Sequence, residues 1–501
     1  MSAKLEKKMA IGYIWNLLSK WVNRSIGVIS SIILIRLLEP EDFGIAALAS
    51  IVIALFVMFS DSGAEKYAIK AEDCNDELLN SAWSLNILLK LCCAMLIAAF
   101  SHLIAELTYE PVLKNVLLLC SFLPIISGFK NIGLVHYERE LNYKPLARLS
   151  VITKLIVFPV TIGLALWWQN YWALILGSII SELMLVIGSY WIHPYRPKWS
   201  SKLWRTQWSF SQWVMISTAT GYIRSRLDVL LIGRFLPSES VGVYRVSQEF
   251  AWLPFSELIS PATASFYAGI TKISHNRDEL NDKLLRYLTV TYILVVPSAF
   301  GIYALQDQIV AVVMGERWIS AAPIMGLLSL LMLSMPLNVA LQTVLISLNK
   351  VKYLVVIDIV MIAAILFSFM TLNQVSFTEQ SRLYGVEGYT LVRVGLVGLF
   401  IPLLFLVYKT VLNINCMRAF CACFIPVIPS LFMLFVIEHF ESVLAFSEWI
   451  NLCILIVCGV VVFLPSMIVV IFATRNILSE SDYLYKVMCN SVLKIRKKFR
   501  A

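Results

Sequence analysis

Apolar runs of about 20 residues, broken by short charged segments, recur along the whole length of this 501-residue chain. A helix of about 20 residues crosses the ~30 Å hydrocarbon core of a bilayer. Stretches such as LIVFPVTIGLALWW (155–168) are continuously apolar. The strands of a membrane β-barrel would instead alternate with period 2. Composition agrees: 59% of residues are apolar, 15% are charged and the mean hydropathy is +0.78, against about 45–50% and about 25% for soluble domains. A soluble enzyme, a disordered chain, a collagen and a small disulfide scaffold are excluded, which leaves an all-α polytopic membrane protein.

Fourteen spans are expected, at about 11–37, 43–69, 81–106, 112–135, 148–168, 171–192, 209–233, 241–270, 284–305, 320–347, 353–372, 388–407, 419–437 and 449–473. Pro124, Pro159, Pro254, Pro261 and Pro336 fall inside spans and mark expected kinks. With the N-terminus inside, 27 Lys and Arg fall in or near inside loops and 5 in or near outside loops. That asymmetry predicts both termini on the inner side of the membrane. It also absorbs the net charge of +9, so no nucleic-acid partner is implied. The stretch after the basic start carries Lys20 and Arg24 and has no small-residue cleavage site, so the first helix is expected to be retained. The ten cysteines fall in spans or inside loops, and neither disulfides nor a zinc site is expected.

The segment Arg36–Ile45 (RLLEPEDFGI) returns at Arg234–Val243 (RFLPSESVGV), with Arg, Glu and Gly offset by 198 positions. Each copy joins the first span of a set to the second. The expected organisation is a six-helix lobe over 1–208, a second over 209–418, two further helices over 419–473 and a basic tail over 474–501. Six spans per repeat keep both lobes in one orientation, about a pseudo-two-fold along the membrane normal, with a cleft between them as the natural substrate site.

Nine cations lie within spans: Lys20, Arg24, Lys90, Lys130, Lys154, Arg224, Arg226, Arg245 and Arg393. Each costs roughly 2.5–3.5 kcal/mol facing lipid at mid-depth. Those near span ends can snorkel; Arg24, Arg224 and Arg226 lie deep and need a wet cavity. Asn16, Lys20, Asn23, Arg24 and Gly27 share one helical face, as do Ser217, Thr220, Gly221, Arg224 and Asp228. Substrate contacts are therefore expected from Arg24, Lys20, Arg224, Arg226 and Lys154. Intramembrane acids offer the competing reading of structural pairing, above all Arg224–Asp228 and Arg245–Glu249 at i,i+4. Asp61, Asp228 and Glu249 are the candidates for a cation partner or for coupling to H⁺ or Na⁺. No phosphate-loop motif and no H-E-x-x-H motif occurs, so neither ATP nor zinc chemistry is indicated and no cofactor is expected.

The run ILIRLLEPEDFGIAALA (33–49), followed by FSDSG (59–63) and echoed by SRLDVLLIGRFLPSESVGVY (225–244), resembles bacterial polysaccharide transporters of the colanic-acid exporter type. Their superfamily also holds multidrug extruders and the lipid II flippase. The resemblance implies a non-enzymatic flippase. It would move undecaprenyl-diphosphate-linked oligosaccharide units from the cytoplasmic to the periplasmic leaflet by alternating access, for surface polysaccharide assembly. The implied partners are the lipid-linked oligosaccharide, membrane lipids, a polysaccharide polymerase and a chain-length regulator. A cation-coupled drug extruder is the first alternative; mid-membrane arginines disfavour it, because such cavities suit organic cations. A membrane-embedded glycan polymerase or ligase is the second, and the longest outside loop (373–388) holds few groups suited to it.

Overall fold

The computed structural model describes residues 3–60, 74–204, 225–259, 277–348, 350–375, 385–414, 416–444, 446–475 and 481–486, with the single positions 68, 222, 263, 266 and 270. Every regular element among them is helical. Eleven helices are long and apolar enough to cross a membrane. Their outer faces carry large apolar side chains in the open, such as Leu399 at 74% and Trp167 at 83% exposure. A water-soluble surface does not tolerate such contiguous apolar area; a bilayer requires it.

Three of the fourteen expected spans are not among the eleven. The segment expected over 112–135 is broken, because Pro124 has no N–H to continue the ladder to Cys120. Most of 209–233, and of 241–270 beyond Ile259, lies outside the described residues, as does Pro261. Of the other expected kinks, Pro159 stays inside one continuous helix. Pro254 precedes a π turn at Phe255–Ile259, and Pro336 opens a helix after a 3₁₀ turn at Met332–Ser334.

The chain divides into two compact units, Met1–Arg245 and Val246–Ala501. The first contains α1 (Ala3–Leu37), α2 (Pro40–Ser60), α3 (Asp76–Leu107), α4 (Val112–Cys120), α5 (Phe122–Gly128), α6 (Leu134–Arg139), α7 (Lys144–Trp168), α8 (Trp172–Ile192), a helix over 225–235 and the start of α9 (Ser238–Ala251). Helix α7 packs against both α1 and α8, and α3 packs against α2, α4 and α5. In the second unit α10 (Arg277–Ala304) is central. It packs against α11 (Ala321–Leu331), α12 (Met335–Ser347), α15 (Cys416–Phe424) and α16 (Val427–Glu441). Around it stand α13 (Val351–Val375), α14 (Val386–Leu412) and α17 (Glu448–Thr474). Its core joins Leu284, Leu288, Tyr292, Leu341, Val344 and Tyr408. The Tyr408 hydroxyl donates to the Leu337 carbonyl at 2.9 Å, so the buried phenol is satisfied.

The two copies of the repeated segment form the same helix–turn–helix corner. Helix α1 ends at Leu37 and α2 begins at Pro40; the helix over 225–235 gives way to α9 at Ser238. The two corners lie in the first unit and touch through their glycines. A Cβ on Gly44 would fall 1.8 Å from the Ser238 carbonyl oxygen, and one on Gly242 would fall 1.8 Å from the Pro40 carbonyl oxygen. Each glycine thus admits the other corner's backbone at a distance closed to every other residue. Buried Asp42 secures the first corner, accepting from the Glu39 N–H at 3.0 Å and the Tyr171 N–H at 2.7 Å. Glu110 secures the second, accepting from the Ser238 N–H at 3.1 Å.

After α8 the chain runs extended along α3, held by side chains. The Asn131 amide donates to the carbonyls of His193 and Tyr195 at 3.2 and 2.9 Å. Asn80 Oδ1 accepts from the Tyr195 hydroxyl and the Lys198 N–H; Ser84 and Ser81 hydroxyls accept from the N–H groups of Ser200 and Leu203. His193 stacks on His136 with centroids 5.5 Å apart. Burial pushes the His193 imidazole below its ordinary value, and His136 and Arg196 push the same way against Glu140.

Two outcomes follow from these contacts. Gly44→Val or Gly242→Val is expected to lower the thermal unfolding midpoint of the purified protein by an overpacking cost of about 1–3 kcal/mol. Gly27→Ala, where an added Cβ meets nothing within 4 Å, is expected to leave it unchanged or raised. The second concerns pH. A histidine depressed in the folded state contributes stability that is present above its ordinary value and lost as pH falls through the depressed one. Hydrogen exchange over 193–204, corrected for its intrinsic pH dependence, should therefore rise between about pH 7.5 and about pH 5.5, and His193→Gln should flatten that rise.

Candidate functional site

The polar face of α1 meets a polar face of α7. On α1, Asn16, Ser19, Lys20, Asn23 and Arg24 recur at helical spacing; on α7, Ser150, Thr153 and Lys154 do the same. Helix α8 adds Ser181 and Leu185. The Asn23 amide donates to the Ser150 hydroxyl at 2.8 Å across the α1–α7 contact. Asn23 Oδ1 is buried with no hydrogen-bond partner among the described residues.

These faces enclose two adjoining hollows. The larger, about 400 Å³, is lined by Lys20, Asn23, Arg24, Ser150, Thr153, Lys154, Ser181 and Leu185. The smaller, about 210 Å³, shares Lys20, Asn23 and Ser150 and continues toward Asn16, Ser19 and Tyr143. Lys154 stands ten residues into the 25-residue α7, about 15 Å along its axis at 1.5 Å per residue. Arg24 stands ten residues into the apolar stretch Ile14–Leu37. Both are too deep for a headgroup to reach without a polar path.

The larger hollow is lined by three cationic side chains and, among the described residues, no carboxylate. In a medium of low dielectric such like charges repel one another and draw an anion strongly. The donors are of complementary kinds: a planar guanidinium fork for paired oxygens, two ammonium groups, and hydroxyls and an amide to bind further oxygens. The arrangement can hold a multiply charged oxyanion.

Of the residues expected to contact substrate, Lys20, Arg24 and Lys154 come together here. Arg226 lines neither hollow; its guanidinium lies 5.8 Å from the Tyr222 ring. Asp228 is buried on the same helix, and Glu249 lies on α9 beyond the end of the first unit. Arg224 and Asp61 fall outside the described residues. Ser150, Thr153 and Ser181 were not expected. The i, i+3, i+4 spacing of Ser150, Thr153 and Lys154 carried the signal for the first two.

A family model described as polysaccharide biosynthesis protein matches residues 33–323. The succinoglycan biosynthesis transport protein ExoT of Rhizobium meliloti (strain 1021) is 26% identical over 320 residues, 63% of this chain and 64% of that one. The lipopolysaccharide biosynthesis protein WzxC of Escherichia coli (strain K12) is 23% identical over 330 residues, 65% of this chain and 67% of that one. The matched part thus spans about two thirds of these relatives. Among solved structures, the lipid II flippase MurJ in an inward closed conformation superposes with a TM-score of 0.67 at 18% identity, covering 90% of this chain and 97% of that one. The helical transporter fold is shared.

The charge of the hollow has a direct readout. Ser150→Cys and Ser181→Cys should react faster with an anionic methanethiosulfonate than with its cationic counterpart. Adding Lys154→Gln should shrink that ratio severalfold, the local potential being the summed field of three cations. Equal rates with both reagents in the parent cysteine variants would show that the hollow is not electropositive.

Proposed function

The chain belongs to the polysaccharide biosynthesis protein family, and we propose that it flips a lipid-linked oligosaccharide across the bacterial inner membrane for surface polysaccharide assembly. The substrate is an undecaprenyl-diphosphate-linked repeat unit, and the direction is from the cytoplasmic to the periplasmic leaflet. One observation carries the reading: a hollow that gathers Lys20, Arg24 and Lys154 with Asn23, Ser150, Thr153 and Ser181 about midway along the apolar helices. A diphosphate presents the several charged oxygens that such a donor set fits, and sugars suit the Asn, Ser and Thr side chains beside it. The names of ExoT and WzxC, a transport protein and a lipopolysaccharide biosynthesis protein, point the same way.

In this mechanism the cations hold the diphosphate while the sugars occupy hydrated space and the polyprenyl tail stays in lipid. Two six-helix lobes, 1–208 and 209–418, open alternately to the two sides. Transport needs only that the grip be stronger than bulk water offers and weaker than would prevent release. The N- and C-termini face the cytoplasm, as the distribution of Lys and Arg over the loops supports. Arg224 and Arg226 supply cations from the second lobe, and Asp61, Asp228 and Glu249 are the groups able to take up H⁺ or Na⁺. A polymerase and a chain-length regulator receive the product. A drug extruder would place acidic groups where this hollow places basic ones, so the charge of the lining favours the flippase.

Arg24→Ala and Lys154→Ala, expressed at normal level, are expected to abolish surface polysaccharide and to trap lipid-linked precursor on the cytoplasmic side. Arg24→Lys should recover only part of the loss, because an ammonium lacks the guanidinium fork. Unimpaired export in both alanine variants would refute the binding assignment. Cysteines at 239 and 240, beside the buried Ser238, should be labelled by an impermeant reagent from the periplasm and cysteines at 198–202 should not; the opposite pattern would overturn the orientation.

A further inference from the structure

A second, chemically different groove lies in the other unit, where α14 meets α15. Its volume is about 870 Å³, and Gly398, Pro402 and Phe405 of α14 and Phe420 and Phe424 of α15 are among its lining residues. Lys409, in the last turn of α14, is the one charged residue in that lining. The walls are stiff: Phe420 and Phe424 stack with centroids 4.0 Å apart, and Phe405 lies 6.1 Å from Phe420. The floor is open for a covalent reason. Gly398 has no side chain, and an added Cβ there meets nothing within 4 Å. Pro402, one turn on, cannot donate to the Gly398 carbonyl.

Length and charge select the occupant. From Lys409 to Gly398 is eleven residues of continuous helix, about 16 Å at 1.5 Å per residue. One leaflet of hydrocarbon is about 15 Å thick, half of the ~30 Å core. The groove therefore begins at a headgroup-level cation and ends near the bilayer midplane. Lys409 is exposed and makes no ion pair among the described residues, so its charge is available to a phosphate. A polyprenyl chain is much longer than one leaflet and would overrun the floor.

We propose that this groove is a binding site for an anionic phospholipid, with an acyl chain between α14 and α15 and the phosphate on Lys409. The site is separate from the cationic hollow of the first unit and does not depend on what is transported. A resident lipid of this kind covers the apolar walls that the two helices leave open and bridges α14 and α15.

The test uses the full-length purified protein, delipidated in detergent and offered equimolar phosphatidylglycerol and phosphatidylcholine with identical acyl chains. Retained lipid is counted by native mass spectrometry. The parent should retain phosphatidylglycerol in about fivefold excess, the worth of one lysine near a lipid phosphate. Lys409→Ala should bring the two lipids to parity. Gly398→Phe, which fills open space, should lose both while gel filtration shows an intact protein. Parity in the parent, or an unchanged excess in both variants, would overturn the proposal. Displacement of phosphatidylglycerol by an equimolar polyprenyl phosphate would assign the groove to a prenyl tail instead. A drop in oligomeric mass with Gly398→Phe would assign it to a second copy of the chain. Either result would also overturn it.

Discussion

A cation cannot rest in hydrocarbon, and this constraint organises the first unit. Lys20, Arg24 and Lys154 sit on two helices whose other faces are apolar and lipid-exposed. Had each cation turned outward alone, the chain would have borne a separate insertion penalty of roughly 2.5–3.5 kcal/mol for each. Packing α1 against α7 gathers all three around one hollow and brings Ser150, Thr153 and Asn23 with them. Gathering like charges creates a second problem, their mutual repulsion, which an oxyanion entering the hollow would relieve.

The same unit shows how a duplicated sequence is used twice in one contact. The corners at Pro40–Gly44 and Ser238–Gly242 meet so closely that each glycine hydrogen faces the other's backbone carbonyl. Contacts of this type between helix ends depend on small residues, and Cα–H groups directed at carbonyls add to them weakly. The two corners are not secured alike. Asp42 holds the first from within its own turn and bridges to Tyr171, whereas the second is held by Glu110, reaching over from the segment between α3 and α4. Duplication kept the glycine, which geometry demands. The securing carboxylate differs between the two corners, Asp42 at the first and Glu110 at the second.

The legible part of this protein was the part set by solvent. Apolar run length gave helices, because only a hydrogen-bond-satisfied backbone survives in lipid. The polar stripe on α1 was readable as well, since Asn16, Lys20, Asn23 and Arg24 stand out at helical spacing in an apolar span. The neighbours of that stripe were less readable. Lys154 was picked out by its charge, but Ser150 and Ser181 are small and common in helix–helix contacts, and only the packing of α7 and α8 shows them facing the same hollow. Pro124 marked an expected kink in the span over 112–135, but hydropathy alone hid that the helix breaks there after Cys120. Pro124 interrupts a run whose hydropathy is uniform, and hydropathy does not register a missing N–H. The groove of α14 and α15 left no trace in the pattern, since every residue in it except Lys409 reads as ordinary lipid-facing surface.

Charge separates the two grooves by function. The hollow of the first unit has three cations at mid-depth with small polar side chains between them, so whatever enters must bring several negative oxygens and tolerate water. The groove of the second unit has one cation at its end and aromatic walls, so its occupant must bring a single headgroup charge and a hydrocarbon chain. A ligand suited to one is rejected by the other: a sugar diphosphate would leave its oxygens unpaired against Phe420 and Phe424, and an acyl chain would offer no oxygens to Lys20 and Lys154. Leaving charged donors unpaired costs more than a lost contact. The two surfaces thus differ in the chemistry they can accept, one built for oxyanions and the other for hydrocarbon with a single charge at its end.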